Sequence, residues 1–517
     1  MAVGPFRPIV PASPPATATG TSGPSTSTPR PASQPPSTTS TTSTTSTTST
    51  ASTTAHDLVG YTSTLGATGG WTSSTARSVG VDVTLTSTPP PNAVVGGGAS
   101  VFDLQIGRAL HATTTTFTGV RAPQFEQTLD RTTGSVARKD NHVTPLFDGE
   151  QSFRERLLSI AQAQSSVHLQ TFIFTDDDTG WNMARHLAER ARAGVDVRVI
   201  VDGLGSNRSS AAIFDFMRAS GVEVRAHATG LDLLAVNNRW HEKHLVIDGM
   251  VAIEGGMNIA DEYSLGGSGR KVFRGSVNGM DAWRDVDVRV EGPAVADVQT
   301  AFLRNWALLG DPVPTPMLAK LFPAPTITAG GPEVRVVQHH PVGDPPDDHT
   351  TQLHVQAINA ATTSITVENA YFIPPPVVRE AFKDAARRGV DVKIATNSKA
   401  SSDMGFVVDA QRYFYGELLD AGVQIFEKQG GTLHAKTMTV DGAWWIIGSV
   451  NLNGRSDGLD TEAAVAIRCD TVAASLEQRF VDGMVEVRPV TMTEVQRAGS
   501  FLGDVKQWAM ATLAWTL

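Results

Sequence analysis

The stretch LHAKTMTVDGAWWIIGSVN, residues 433–451, reads as two short runs of β-branched and apolar residues joined at Asp441-Gly442, the signature of a hairpin. Its first run carries His434, Lys436 and Asp441, although a buried strand should hold no ionisable group. Earlier in the chain WHEKHLVIDGMVAIEGGMN, residues 240–258, repeats the pattern with His241, Lys243 and Asp248 ahead of another glycine. The repetition extends outward. LAERARAGVDVRVIVDG (187–203) lays over FKDAARRGVDVKIATNS (382–398), each a helix that ends at a glycine and runs into a strand. The offset from Asp196 to Asp391 is 195, and those from His241 to His434 and from Asn258 to Asn451 are both 193. RERLLSIAQAQSSVHLQTFIF (154–174) and HVQAINAATTSITVENAYFI (354–373) each read as helix then strand. Strands alternating with helices predict an α/β unit, a mixed sheet covered by helices, made twice over residues 141–310 and 330–490.

Period-two geometry places His434 and Lys436 on one face of their strand, and His241 and Lys243 on one face of theirs. A half-buried lysine beside a histidine is poorly stabilised without an anion. If the repeats pack about a pseudo-twofold axis, two imidazoles and two ammonium groups converge on a site for one phosphate. Neutral imidazole can attack phosphorus and imidazolium can protonate a leaving alcohol, so two histidines can divide the roles in phosphodiester cleavage. The lysines would hold the non-bridging oxygens. One His-x-Lys is commonplace; two copies spaced His-x-Lys-x4-Asp-Gly at the same place in a repeat are not. No metal is expected, because the usual Cys/His and His-Glu-x-x-His ligand arrays are missing and lysines would oppose a cation. His244, His168, His186, His339, His340 and His354 are read as structural or surface residues.

The 517-residue chain is 40% hydrophobic and long enough for two or more domain-sized units. Its single cysteine, Cys469, excludes an intramolecular disulfide framework. Residues 1–140 hold 8 Lys+Arg against 6 Asp+Glu, which leaves 34 against 46 for the remainder. An acidic body repels polyphosphate, so no nucleic-acid partner is expected. Residues 1–55, with the run STTSTTSTTSTTST, are expected to be a disordered Ser/Thr/Pro-rich tail, and 56–140 form a poorly defined segment without assignable function. No run reads as a membrane span or a signal peptide, so the expected location is the cytoplasm or the cytoplasmic face of the membrane, with peripheral contact. Residues 491–517 are expected to include an amphipathic helix, with Phe501, Leu502, Val505, Trp508, Ala509, Leu513 and Trp515 near one face. Docking on its own domain is favoured over membrane contact.

The paired motifs resemble those of the phospholipase D superfamily over roughly residues 141–490, and most closely those of bacterial cardiolipin synthases. The stretches that carry the second likeness are GGMNIADEY (255–263), WRDVDVRVEGPAV (283–295), QTAFLRNW (299–306), ENAYFIPPP (368–376) and GSVNLNGRS (448–456). The resemblance implies a duplicated phospholipase D-like fold, a phospholipid substrate that is phosphatidylglycerol, no cofactor, and a ping-pong reaction through a phosphohistidine. It implies one motif histidine as nucleophile and the other as acid and base; His241 is assigned the first role and His434 the second, with the near symmetry of the repeats leaving the reverse open. Laying DVDVRV on EAAVAI aligns Asp285 with Glu462, 44 and 28 residues after the histidines of their own repeats, as the acids that fix the imidazole tautomers. Asp248 and Asp441 would organise loops and inter-repeat contacts, while Asn258, Ser449 and Asn451 would line the phosphate pocket. Where the family has Asn-x-Glu this chain has Asp460-Thr461-Glu462, and many cardiolipin synthases carry membrane spans where it has the tail. A phospholipase D that hydrolyses or transphosphatidylates phospholipids is the alternative, followed by a nuclease of the superfamily. A non-enzymatic binding module would require damage to one motif, and both are intact.

Overall fold

A computed structural model describes residues 119–228, 237–264, 283–343 and 345–498. The expected tail, most of the 56–140 segment and all seven apolar residues singled out in the C-terminal helix lie outside the described residues.

Seven strands form the first sheet: β1 (His142–Phe147), β2 (Ser166–Thr171), β3 (Asp196–Asp202), β4 (Glu223–His227), β5 (His244–Ile247), β6 (Val251–Gly255) and β7 (Val286–Glu291). The second contains β8 (Glu333–His339), β9 (Ser364–Asn369), β10 (Asp391–Asn397), β11 (Gln424–Lys428), β12 (Lys436–Val440), β13 (Trp444–Gly448), β14 (Glu462–Arg468) and β15 (Val487–Pro489). The spatial orders are β1-β7-β6-β5-β2-β3-β4 and β8-β14-β13-β12-β9-β10-β11-β15. Apart from the extra edge strand β15 the two orders are the same, and the pairing agrees as well: β2, β3 and β4 run parallel, as do β9, β10 and β11. β5 then joins β2 antiparallel, and β12 joins β9 in the same way. This is the duplicated α/β architecture expected from the offsets.

The parallel connections follow from the aligned helix–strand segments. The helices Asp178–Arg192 and Pro376–Arg387 end ahead of Gly194 (φ 89°) and Gly389 (φ 94°), which take the left-handed conformation that closes a helix before the chain enters β3 or β10. Asp248-Gly249 and Asp441-Gly442 have φ of 55° and 65°, and 52° and 58°, the left-handed pair a type I′ hairpin turn uses. Aspartate tolerates that conformation better than most side chains.

Outer helices cover one face of each sheet over separate cores, one built around Leu169, Val199 and Leu187 and the other around Ile394, Val367 and Phe382. The inner faces meet in a third core, where Val246, Ala252 and Val288 pack with Trp445, Ile447 and Val465. Two β-layers therefore lie between helical layers, and burial of the shared apolar face is what joins the repeats. Residues 119–140, which carried no assignment in the sequence, include a helix, Pro123–Thr132. It inserts Phe125 and Leu129 into the second repeat's core, Phe125 meeting Trp444 edge-on at 5.2 Å. At the other end the helix Met492–Ala498 brings Val495 against the same core. Among the described residues no helix is long and apolar enough to cross a membrane.

Candidate active site

The motif histidines enter the site from just ahead of β5 and β12, and each is held there by the other repeat. Trp240 forms a bridge with Thr461, and the His241 amide donates to the Thr461 carbonyl at 3.0 Å. In the mirrored position Leu433 bridges Arg284, and the His434 amide donates to the Arg284 carbonyl at 2.7 Å. Thr461 and Arg284 immediately precede Glu462 and Asp285. The backbone pairing therefore delivers to each histidine the carboxylate of the opposite repeat: His241 Nδ1 lies 3.0 Å from Glu462, and His434 Nδ1 lies 2.6 Å from Asp285. The overlay had found both acids, but it counted each along its own repeat, and the pairs are crossed. All four side chains are buried, as are Lys243 and Lys436.

Burial lowers the proton affinity of both lysines, Lys243 to about 7 and Lys436 to about 8, with Glu462 and Asp285 opposing. Lys436 further lowers Lys243, so the ammonium groups of the two repeats sense each other. Burial also lowers both histidines, and Lys243 and Lys436 add to it. Each ammonium donates to the carbonyl of its own motif histidine, and Lys436 Nζ lies 3.0 and 3.2 Å from the ring nitrogens of His434. An anion placed among these groups would relieve the cation repulsion and raise all four proton affinities together.

The two acids differ in their surroundings. Glu462 accepts from the Ser449 hydroxyl and, at 2.6 Å, from Ser456. Burial pushes this carboxyl up, yet His241, Lys243 and Ser449 outweigh it, and it titrates below its ordinary value. With Glu462 ionised, His241 Nδ1 must donate, which leaves a lone pair on Nε2. The position equivalent to Ser449 is Gly256, where an added Cβ would lie 2.4 Å from Asp285 Oδ1. Asp285 accepts the Val286 amide at 2.8 Å, and burial raises its proton affinity against the pull of Lys436.

The other predicted residues fall outside this cluster. Asp248 accepts from the amides of Gln164, Ser165 and Ser166, and Asp441 from those of Thr362, Thr363 and Ser364. Each lies five positions along the chain from its motif lysine, an extended span of roughly 16 Å. Their side-chain bonds lie within their own repeats and fasten the hairpin turn to the strand beside it. Asn258 accepts the Ile173 amide at 3.1 Å and donates to the Tyr263 hydroxyl at 2.8 Å. Ser449 holds Glu462, and Asn451 is buried with no hydrogen-bond partner for its Oδ1 among the described residues. Asn258 and Ser449 therefore bind protein groups that shape the site.

Aromatic walls were not anticipated. Tyr263 and Trp283 flank His434 with ring centroids 5.1 Å away in each case, and Phe172 meets His241 at 5.0 Å. Tyr263 and Trp283 lie in stretches already notable for their resemblance, yet nothing in their spacing marks them as neighbours of the second repeat's histidine. On the far face of the motif strand His244 Nδ1 lies 2.8 Å from Glu254. Burial opposes its charge, but Glu254 and Glu242 outweigh that and raise it to about 10. Gln170 and Gln338 bind Glu242 at 2.8 and 3.0 Å, so this strand is anchored by a buried polar network.

The family described as "Cardiolipin synthase, PLD-like domain" matches residues 157–265 and 354–484, which bracket both motifs. The cardiolipin synthase of Listeria monocytogenes is 32% identical over 364 residues, 69% of this chain and 72% of the relative. The chain belongs to the phospholipase D-like cardiolipin synthase family. Cardiolipin synthase A of Pseudomonas fluorescens is likewise 32% identical, over 69% of this chain and 71% of its own. A crystal structure of phosphatidylserine synthase from Haemophilus influenzae superposes with a TM-score of 0.59 at 14% identity, over 76% of this chain and 99% of that one. That likeness is one of fold, with a protein remote in sequence from this chain.

Proposed function

We propose that the chain transfers a phosphatidyl group from one phosphatidylglycerol molecule to another, forming cardiolipin and releasing glycerol. As a member of the cardiolipin synthase family it is a phosphatidyltransferase acting on phospholipid. The observation that carries the finer reading is the crossed pairing of two buried histidines with two buried acids beside two lysines. In the first half-reaction His241 Nε2 attacks phosphorus, the phosphorus–oxygen bond to glycerol breaks, and His434 gives its Nε2 proton to the departing oxygen. In the second, the hydroxyl of the acceptor gives its proton to His434 as its oxygen bonds to phosphorus, and the phosphorus–nitrogen bond electrons return to His241. Lys243 and Lys436 move from the histidine carbonyls to the phosphoryl oxygens as charge accumulates there. The firmer ionisation of Glu462 supports His241 as the nucleophile, since a hydrogen bond from Nδ1 to a carboxylate raises the basicity of Nε2. Catalysis occurs at the membrane surface, by peripheral contact on the cytoplasmic side.

The test is to incubate the purified chain with phosphatidylglycerol vesicles and follow the lipids by mass spectrometry. Cardiolipin and free glycerol should appear in equal amounts, and EDTA should leave the rate unchanged because the charge is supplied by side chains. Phosphatidic acid alone would identify a hydrolase. Loss of activity on chelation with rescue by zinc or magnesium would overturn the phosphohistidine route.

A further inference from the structure

Beside the phosphate cluster, at the same edge of the second sheet, lies an ionisable pair that the reaction above does not use. Lys436 pairs in register with Asn369, the last residue of β9, and Tyr371 follows two residues later. β10 runs parallel to β9 and ends at Asn397, so the loop that follows it emerges at this edge and carries Asp403. The Tyr371 hydroxyl lies 2.7 and 2.8 Å from the two oxygens of Asp403. Both residues are partly exposed, in contrast to the sealed Glu462 and Asp285. Asp403 is close enough to Lys436 for the ammonium to favour its ionised form, although burial raises its proton affinity overall. The side chains of Ile373, Met404, Phe406 and Phe414 make an apolar patch around Tyr371.

We propose that Tyr371 and Asp403 select the acceptor, binding the second hydroxyl of a polyol headgroup so that a neighbouring hydroxyl faces the phosphorylated histidine in place of water. The inference rests on the phosphatidyltransferase reading and adds to it the specificity of the second half-reaction. A carboxylate held by one phenol retains acceptor capacity for an alcohol O–H, and the phenol oxygen can itself accept. Water satisfies the same groups but gains no orientation from them, whereas a vicinal diol bound by one hydroxyl has the other fixed in position. The adjacent apolar patch suits the carbon skeleton of a glycerol-based lipid and disfavours bulk water. The pair moves no proton: the acceptor's proton goes to His434, and the bond from phosphorus to His241 breaks as before.

The experiment supplies phosphatidylglycerol vesicles with either deuterated glycerol or 1-propanol in excess and measures, by mass spectrometry, the ratio of deuterated phosphatidylglycerol or phosphatidylpropanol to phosphatidic acid for the full chain and its Tyr371→Phe and Asp403→Asn variants. Each variant should lower the glycerol ratio by about fivefold, the worth of one hydrogen bond, while the propanol ratio stays the same. A variant that merely loosened the fold would move both ratios together. Equal glycerol ratios in wild type and both variants would overturn the proposal. So would loss of all donor consumption in both, which would place the pair in the first half-reaction. A wild-type chain that consumes no phosphatidylglycerol would instead sink the transferase reading itself.

Discussion

The two motif histidines are alike in sequence and unlike in environment. His241 faces a carboxylate with two serine hydroxyls on it, and His434 faces one opposite a glycine. His241→Ala and His434→Ala should each reduce turnover by at least about 10³-fold, as expected for an essential nucleophile and an essential acid. With a phosphatidyl donor carrying a nitrophenolate leaving group, which departs without a proton, His434→Ala should accumulate labelled phosphatidyl on the protein and His241→Ala should not. Gel autoradiography distinguishes the two, and trapping by His241→Ala alone would reverse the roles. The lysines set the pH profile. Their proton affinities, about 7 and about 8, mean that the free protein loses the two ammonium charges as pH rises through that range. kcat/KM, which reports the free protein, should therefore fall above about pH 8, and kcat less so, because bound phosphate restores the charge. Both values lie below the ordinary 10.5, so from about pH 7 to 10.5 the unfolded chain holds more protons and these groups add stability as pH rises. Wild type should gain stability relative to a Lys243→Met/Lys436→Met double variant between pH 7 and 9.5, measured by urea denaturation.

At the scale of elements, the aspartates repeated in the two hairpins act on the backbone. Asp441 sits in a left-handed turn and satisfies three amides at the start of β9, so its removal costs the cap and leaves alanine in a conformation it adopts poorly. Asp441→Ala should lose about 2–4 kcal/mol of stability by chemical denaturation. Below the unfolding transition its turnover should suffer far less than that of the histidine variants; a loss as large as theirs would place the carboxylate in the reaction. The Asp-Gly pairs were legible because only a few residues adopt two successive positive φ values. What the turn's carboxylate would bind was not, since Gln164–Ser166 and Thr362–Ser364 are about 80 residues upstream and come alongside only in the folded sheets.

Among the described residues, two sheets share one inner core and exchange the acids of their motif histidines, so neither repeat by itself pairs its motif histidine with a carboxylate. The helix Pro123–Thr132 belongs to this assembly: Phe125 and Leu129 are fully buried in the second core, and Arg335 binds Glu126 and Asp130 at 2.8 and 2.6 Å. A chain beginning at Asp140 should be less stable than one beginning at Gly119 by about 3–6 kcal/mol, from two large apolar side chains and an uncovered guanidinium, as read by urea denaturation. Equal stability would mean that the helix is an ornament on an already closed core.

The sequence by itself determined the duplication, the α/β class, the two hairpins and the identities of the two histidines, two lysines and two acids. The duplication, the class, the hairpins, the histidines and the lysines are written in local periodicity, in turn chemistry that few residues satisfy, or in spacing that recurs at an offset of 193, and the two acids, 177 apart, in the overlay of DVDVRV on EAAVAI. Tertiary structure alone decided that His241 takes Glu462 and His434 takes Asp285, because that pairing depends on which backbone edges meet when two apolar sheet faces are buried against each other. It also decided that Tyr263 and Trp283 flank a histidine from the other repeat, that Gly256 makes room for Asp285, and that an unassigned stretch supplies a core helix. Burial is a property of packed surfaces rather than of the order of residues along a chain, so contacts between distant segments leave no period in the sequence from which they could be read.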